Sequence, residues 1–131
     1  MVNKILVVDD DSFVIEQLEK ELRSKLPEVT VLTTDSGYQA LKHIMTGDID
    51  LLLTDIAMPD MDGYELFLRA REQNEDMPVI MMTGFGYDPN HTVVNARNAG
   101  LCPEDILFKP FDNDYLVKLI RERLKLAKKE E

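Results

Sequence analysis

Cationic residues are scarce in this chain. Lys and Arg total 15 against 25 Asp and Glu, a net charge of −10. That balance argues against nucleic acid or an anionic membrane as a direct partner, and it puts any basic surface on the other side of an interaction. Cysteine is nearly absent: Cys102 stands alone, which excludes an internal disulfide and fits a reducing cytoplasm. No amino-terminal apolar stretch is long enough for a signal peptide or a membrane span. Repeats, low-complexity stretches and Ser/Pro-rich linkers are also missing. With 131 residues, 44% of them hydrophobic, the chain suits one compact domain with a sizeable core. Residues 1–131 therefore read as a single unit, with no output domain expected in this chain.

What is present is a strict alternation. Short apolar runs occur at ILVV (5–8), VTVL (29–32), LLL (51–53), VIMM (79–82) and ILF (106–108). Between them lie segments of helical period. Ile15, Leu18, Leu22 and Leu26 share one helical face, with Ser12 as the expected N-cap and Pro27 just past the end. Ser36 caps a second helix expected to bury Ala40, Leu41, Ile44 and Met45. Gly63 opens a third that carries Leu66, Phe67 and Ala70, and Gly47 and Pro78 mark the exits. A fourth, around Thr92 to Ala99, is short and weakly patterned. The fifth begins at Asp112 and buries Leu116, Leu119, Ile120 and Leu124. Buried strands alternating with helices require a parallel sheet covered on both faces, because right-handed crossovers place the helices there. The fold expected is a single doubly wound α/β domain, (βα) five times.

In such a sheet all strands point one way, so residues at the ends of the apolar runs gather along one edge, where open α/β folds bind ligands. Strand one ends in Asp9, Asp10 and Asp11, strand three in Thr54 and Asp55, strand four in Thr83 and Gly84, and strand five in Lys109 and Pro110. Asp9, Asp10 and Asp55 together would repel one another unless a cation holds them. Oxygen ligands with positions left for water and phosphate suit Mg²⁺, with Mn²⁺ a possible substitute, better than zinc, which would want His or Cys. The two histidines, His43 and His91, lie away from this edge and read as solvent-facing. Asp11 reads as part of an acidic helix N-terminus. Lys109, in ILFKPF, supplies the positive counterpart. The Thr83 hydroxyl stands beside a glycine, which lets an anion approach the backbone.

With TDIAMPDMDG (54–63) added, the set resembles the receiver domain of bacterial two-component response regulators, over essentially the whole chain. The matching parts are VVDDD, the D-x-x-M-P-x-M-D-G stretch from Asp55, the threonine of MMTG and the KPF at 109–111. The resemblance implies a flavodoxin-like five-stranded parallel sheet in the order 2-1-3-4-5. It also implies a signalling domain rather than a turnover enzyme, one that catalyses only its own phosphorylation and dephosphorylation. Asp55 would be the phosphoacceptor, taking a phosphoryl group from a histidine kinase or histidine phosphotransfer protein in the cytoplasm. Asp9, Asp10, the Asp55 carboxylate and the backbone carbonyl of Ala57 would hold Mg²⁺. Thr83 and Lys109 would meet the phosphoryl oxygens, and the signal would leave through helix four, strand five and helix five.

Three features depart from the family pattern. Ile106 stands where an aromatic residue is common, and TGFGYDPNHT and GLCPED are slightly long. Ala57 and Phe85 adjoin the site and would influence how water reaches the acyl phosphate. An aspartate-nucleophile phosphatase would need D-x-D-x-T, which neither DDDSF nor DIAMP supplies. A flavin module would need a hydroxyl- and glycine-rich loop after strand one, where DDDS would repel the phosphate. A docking module with an idle site is disfavoured because every catalytic position is filled.

Overall fold

The computed structural model describes residues 3–46, 48–56, 58, 60–61, 63–84 and 100–126. Five strands, β1 (Asn3–Val8), β2 (Val29–Thr34), β3 (Leu51–Asp55), β4 (Val79–Thr83) and β5 (Ile106–Phe108), form one parallel sheet in the order β2-β1-β3-β4-β5. The described helices are α1 (Ser12–Lys25), α2 (Gly37–Met45), α3 (Gly63–Gln73) and α4 (Asn113–Leu124), with a 3₁₀ turn at Pro103–Asp105. The doubly wound sheet and its strand order are those expected from the sequence. The helix expected at Thr92 to Ala99 lies outside the described residues, as do Gly47, Ala57, Phe85 and His91.

The unbroken apolar runs are explained by a core on each face of the sheet. Successive side chains of a strand point to opposite faces. Leu6 and Val8 of β1, Leu52 of β3 and Val79 and Met81 of β4 accordingly meet Ala40 and Ile44 of α2 and Leu66, Phe67 and Ala70 of α3. Their neighbours Ile5, Val7, Leu51, Leu53, Ile80 and Met82 turn the other way, onto Leu18 and Leu22 of α1 and Leu116, Leu119 and Ile120 of α4. Polar residues at these positions would be stranded in one core or the other, so the inner strands have no room for alternation.

Two local expectations are corrected. Asp11, not Ser12, caps α1: its backbone is extended, and Oδ1 accepts from the N–H groups of Phe13 (2.9 Å) and Val14 (3.4 Å). Both residue types suit the position, and the place where the chain leaves the sheet decides between them. Met45 is 61% exposed rather than buried. Ala40 and Ile44 define the inward line of α2, and Met45, one residue on from Ile44, is rotated away by about 100°. Ile15, Leu41 and Leu124 are half-buried at the margins of their stripes. Ser36 caps α2 as expected, accepting from Gln39 N–H at 3.3 Å, and Asp112 caps α4 through Asp114 N–H at 2.8 Å.

Candidate functional site

The strands bring their carboxyl ends together at one edge. Register places Val8 beside Thr54, Asp55 beside Met82 and Thr83 beside Phe108. Asp55 and Thr83 are thus the last rungs of β3 and β4 rather than loop residues, held by ladder hydrogen bonds. Ile56 N–H continues the ladder to Met82 O at 3.0 Å, and Lys109 N–H reaches Thr83 O at 2.8 Å. The scaffold is therefore rigid where the chemistry would occur.

Three carboxylates converge on this edge, one oxygen each from Asp9, Asp10 and Asp55 lying within 4.8 Å of one another. Asp9 is fully buried, Asp55 is 8% exposed and Asp10 faces solvent. The Lys109 ammonium sits between the two buried ones, 2.8 Å from Asp9 Oδ2 and 3.3 Å from Asp55 Oδ2. The other oxygen of Asp9 accepts from Asp11 N–H at 2.9 Å. Burial by itself would push the lysine pKa down. The hydrogen bond to Asp9 and the charges of Asp55 and Asp9 outweigh burial and hold it above its ordinary 10.5. The peptide that follows Lys109 is cis, to Pro110.

Thr83 Oγ1 is buried with no hydrogen-bond partner among the described residues. Buried hydroxyls normally have one, so the atom could donate to a group bound at this edge. A Cβ built on the neighbouring Gly84 would meet no described atom within 4 Å. A clustered set of hard oxygen donors fits a small divalent cation such as Mg²⁺, and Asp9, Asp10 and Asp55 could hold one. The Ala57 carbonyl, the fourth ligand implied by the resemblance, lies outside the described residues. Ile106, in place of the common aromatic, is 8% exposed in the core beside Met81. His43 is half-buried on α2.

Sequence reasoning did not single out Phe13 or Asp60. Phe13, in the first turn of α1, is 67% exposed and borders a groove formed with Leu18, Pro110 and Phe111, with Lys109 along its wall. A large apolar residue on the polar side of a capped helix was the available signal. Asp60, from the loop between β3 and α3, binds the start of α2 through both carboxylate oxygens. No spacing in the sequence announces that contact.

A parallel doubly wound sheet with three carboxylates, a lysine and a threonine hydroxyl at its carboxyl edge is the arrangement of a response-regulator receiver domain. The chain belongs to the response regulator receiver domain family of two-component systems, whose sequence model matches residues 5–121. It is 36% identical over 123 residues to the transcriptional regulatory protein NatR of Bacillus subtilis, a match covering 93% of this chain and 50% of NatR. The cell cycle response regulator CtrA of Brucella ovis is 28% identical over 125 residues, covering 95% and 51%. The chain thus spans about half the length of these relatives. A CheY-like receiver domain protein from Methanospirillum hungatei JF-1 superposes with a TM-score of 0.84 at 30% identity, covering 95% of each chain.

Proposed function

We propose that residues 1–131 act as one phosphoacceptor unit, taking a phosphoryl group on Asp55 from a phosphohistidine of a histidine kinase or phosphotransfer protein. The observation that carries this reading is the Lys109 ammonium, held between Asp9 and Asp55 at the end of β3 with the Asp10 carboxylate open beside them. In the reaction an Asp55 carboxylate oxygen attacks phosphorus, the P–N bond to imidazole breaks, and the imidazole leaves with the bonding pair. The product is an acyl phosphate on Asp55. Mg²⁺, held by Asp9, Asp10 and Asp55 with the Ala57 carbonyl, would neutralise charge on the transferring group. Lys109 would supply a second positive charge to a phosphoryl oxygen. The unpaired Thr83 hydroxyl then has an acceptor, and that new bond would couple the site to the chain beyond Gly84 and so to a partner-binding face.

Phosphotransfer supplies its own test. Incubated with Mg²⁺ and a small acyl phosphate donor, the protein gains one phosphoryl group by intact-protein mass spectrometry, and Asp55→Asn gains none. Labelling of the variant equal to wild type removes Asp55 as the acceptor. Chelation of the metal abolishes labelling of the wild type.

A further inference from the structure

Asp60 touches none of the reacting groups, yet it makes three hydrogen bonds to the start of α2. Its Oδ2 accepts from Ser36 Oγ at 2.8 Å and Tyr38 N–H at 3.2 Å, and its Oδ1 accepts from Gly37 N–H at 3.1 Å. A helix start leaves N–H donors unpaired, and a capping role is one reading of these bonds. Yet α2 already carries its own cap, since Ser36 Oγ accepts from Gln39 N–H. What Asp60 adds is a tie between two elements far apart in sequence.

The loop is also wedged at both ends. A Cβ on Gly37 would stand 2.7 Å from Met61 Cβ, so glycine at the start of α2 is what lets the loop seat there. Met61 itself is buried in the core between the sheet and α2 and α3. At the far end, Gly63 N–H donates to Ile56 O at 2.9 Å. A Cβ on Gly63 would lie 2.7 Å from Ile56 Cα and 3.0 Å from the backbone oxygen of Asp55. The described residues of the loop are thus seated at two places: 60 and 61 against the start of α2, and 63 against the backbone of Asp55 and Ile56.

We propose that Asp60 is a positioning residue for Asp55: by tying the loop to the start of α2 it holds the end of β3 in the geometry that takes metal and phosphoryl group. The inference rests on the phosphoacceptor reading above. The ionised state of Asp60 is favoured in support of it. The slight desolvation of this exposed carboxylate works against the charge, but the bonds from Ser36, Tyr38 and Gly37 prevail and lower its pKa below the ordinary 3.8.

Titration calorimetry of the whole protein with Mg²⁺ alone, together with amide hydrogen exchange of the metal-free protein, tests this. Outer-shell substitutions typically weaken metal affinity by roughly ten- to hundredfold. Asp60→Ala should raise the Mg²⁺ Kd by about tenfold or more and speed exchange at Gly63 N–H. Asp60→Asn, which keeps one carbonyl oxygen for Gly37 N–H, should recover part of both. Lys42→Gly weakens α2 at an exposed position without touching the loop, and should leave the Mg²⁺ Kd unchanged. If Asp60→Ala does not fold, Gly37→Ala, which drives a methyl group into Met61, replaces it with the same expectation. Wild-type affinity and wild-type Gly63 exchange in Asp60→Ala would overturn the proposal, as would equal loss of affinity in Lys42→Gly. Should the wild type itself bind no Mg²⁺, the phosphoacceptor reading falls, and the Gly63 exchange still decides whether Asp60 positions the loop.

Discussion

Asp9 and Asp10 are neighbours in sequence with opposite surroundings. Asp9 is fully buried and both of its oxygens are engaged, by Asp11 N–H and by Lys109. Asp10 projects into solvent with its charge less compensated. Replacing Asp9 would take the nearer of two carboxylates from the Lys109 ammonium, whereas replacing Asp10 removes repulsion. Asp10→Asn should therefore raise the melting temperature of the metal-free protein. In the wild type, Mg²⁺ at a hundredfold excess over Kd should stabilise the native state by about 2.7 kcal/mol, and in Asp10→Asn that response should vanish. Thermal melts with and without Mg²⁺ measure both, and a wild-type response in the variant rules Asp10 out as a ligand. Asp9, Asp10, Asp55, Thr83 and Lys109 were all legible in the sequence because each ends an apolar run. Asp60 was not, because its partners, one serine hydroxyl and two backbone N–H groups, lie more than twenty residues away.

Elements, rather than single residues, create the open side of the site. The first turn of α1 and the segment from Lys109 into α4 flank a groove, with Phe13 exposed on one wall and Pro110 and Phe111 on the other. A phosphohistidine protein approaching Asp55 from this side would bury Phe13, and burial of a central aromatic is the common source of interface affinity. Phe13→Ala should lower the efficiency of transfer from the cognate phosphohistidine protein roughly tenfold, the order expected for truncating such an anchor. Its rate with a small acyl phosphate donor should be unchanged. Steady-state transfer assays with the two donors separate these outcomes, and equal loss with both would place Phe13 in the reaction site rather than at the interface. The approach to β5 is fixed separately: Arg123 of α4 holds the buried Asp105 carboxylate at 2.7 Å, tying the 3₁₀ turn to the helix. The periodicity marked α1 and α4 as amphipathic but could not say that their ends would share one groove.

For the molecule as a whole, two groups with shifted pKa values link stability to pH. Lys109 titrates above its unfolded value of 10.5, so its contribution is complete below that pH and is lost as pH rises through the folded value. Asp60 titrates below 3.8, so its contribution is present above that pH and is lost as pH falls through the folded value. The Asp60 contribution is the smaller, because water screens a group so close to the surface. Urea-unfolding midpoints across pH should fall less steeply above pH 10.5 in Lys109→Ala, and less steeply below 3.8 in Asp60→Asn, than in wild type. Unchanged slopes would show that other groups set the limits. The sequence by itself determined the architecture and which residues gather at the carboxyl edge of the sheet. Unbroken apolar strands demand two covered faces, parallel strands demand a common edge, and the residues ending those strands then have nowhere else to gather. Tertiary structure alone decided how charge is distributed among them. Which aspartates are buried, which of them Lys109 reaches and which helix start the loop grips all depend on distances of a few ångströms between elements. Coulombic and hydrogen-bond energies change steeply over those distances, and a one-dimensional pattern of residue types does not contain them.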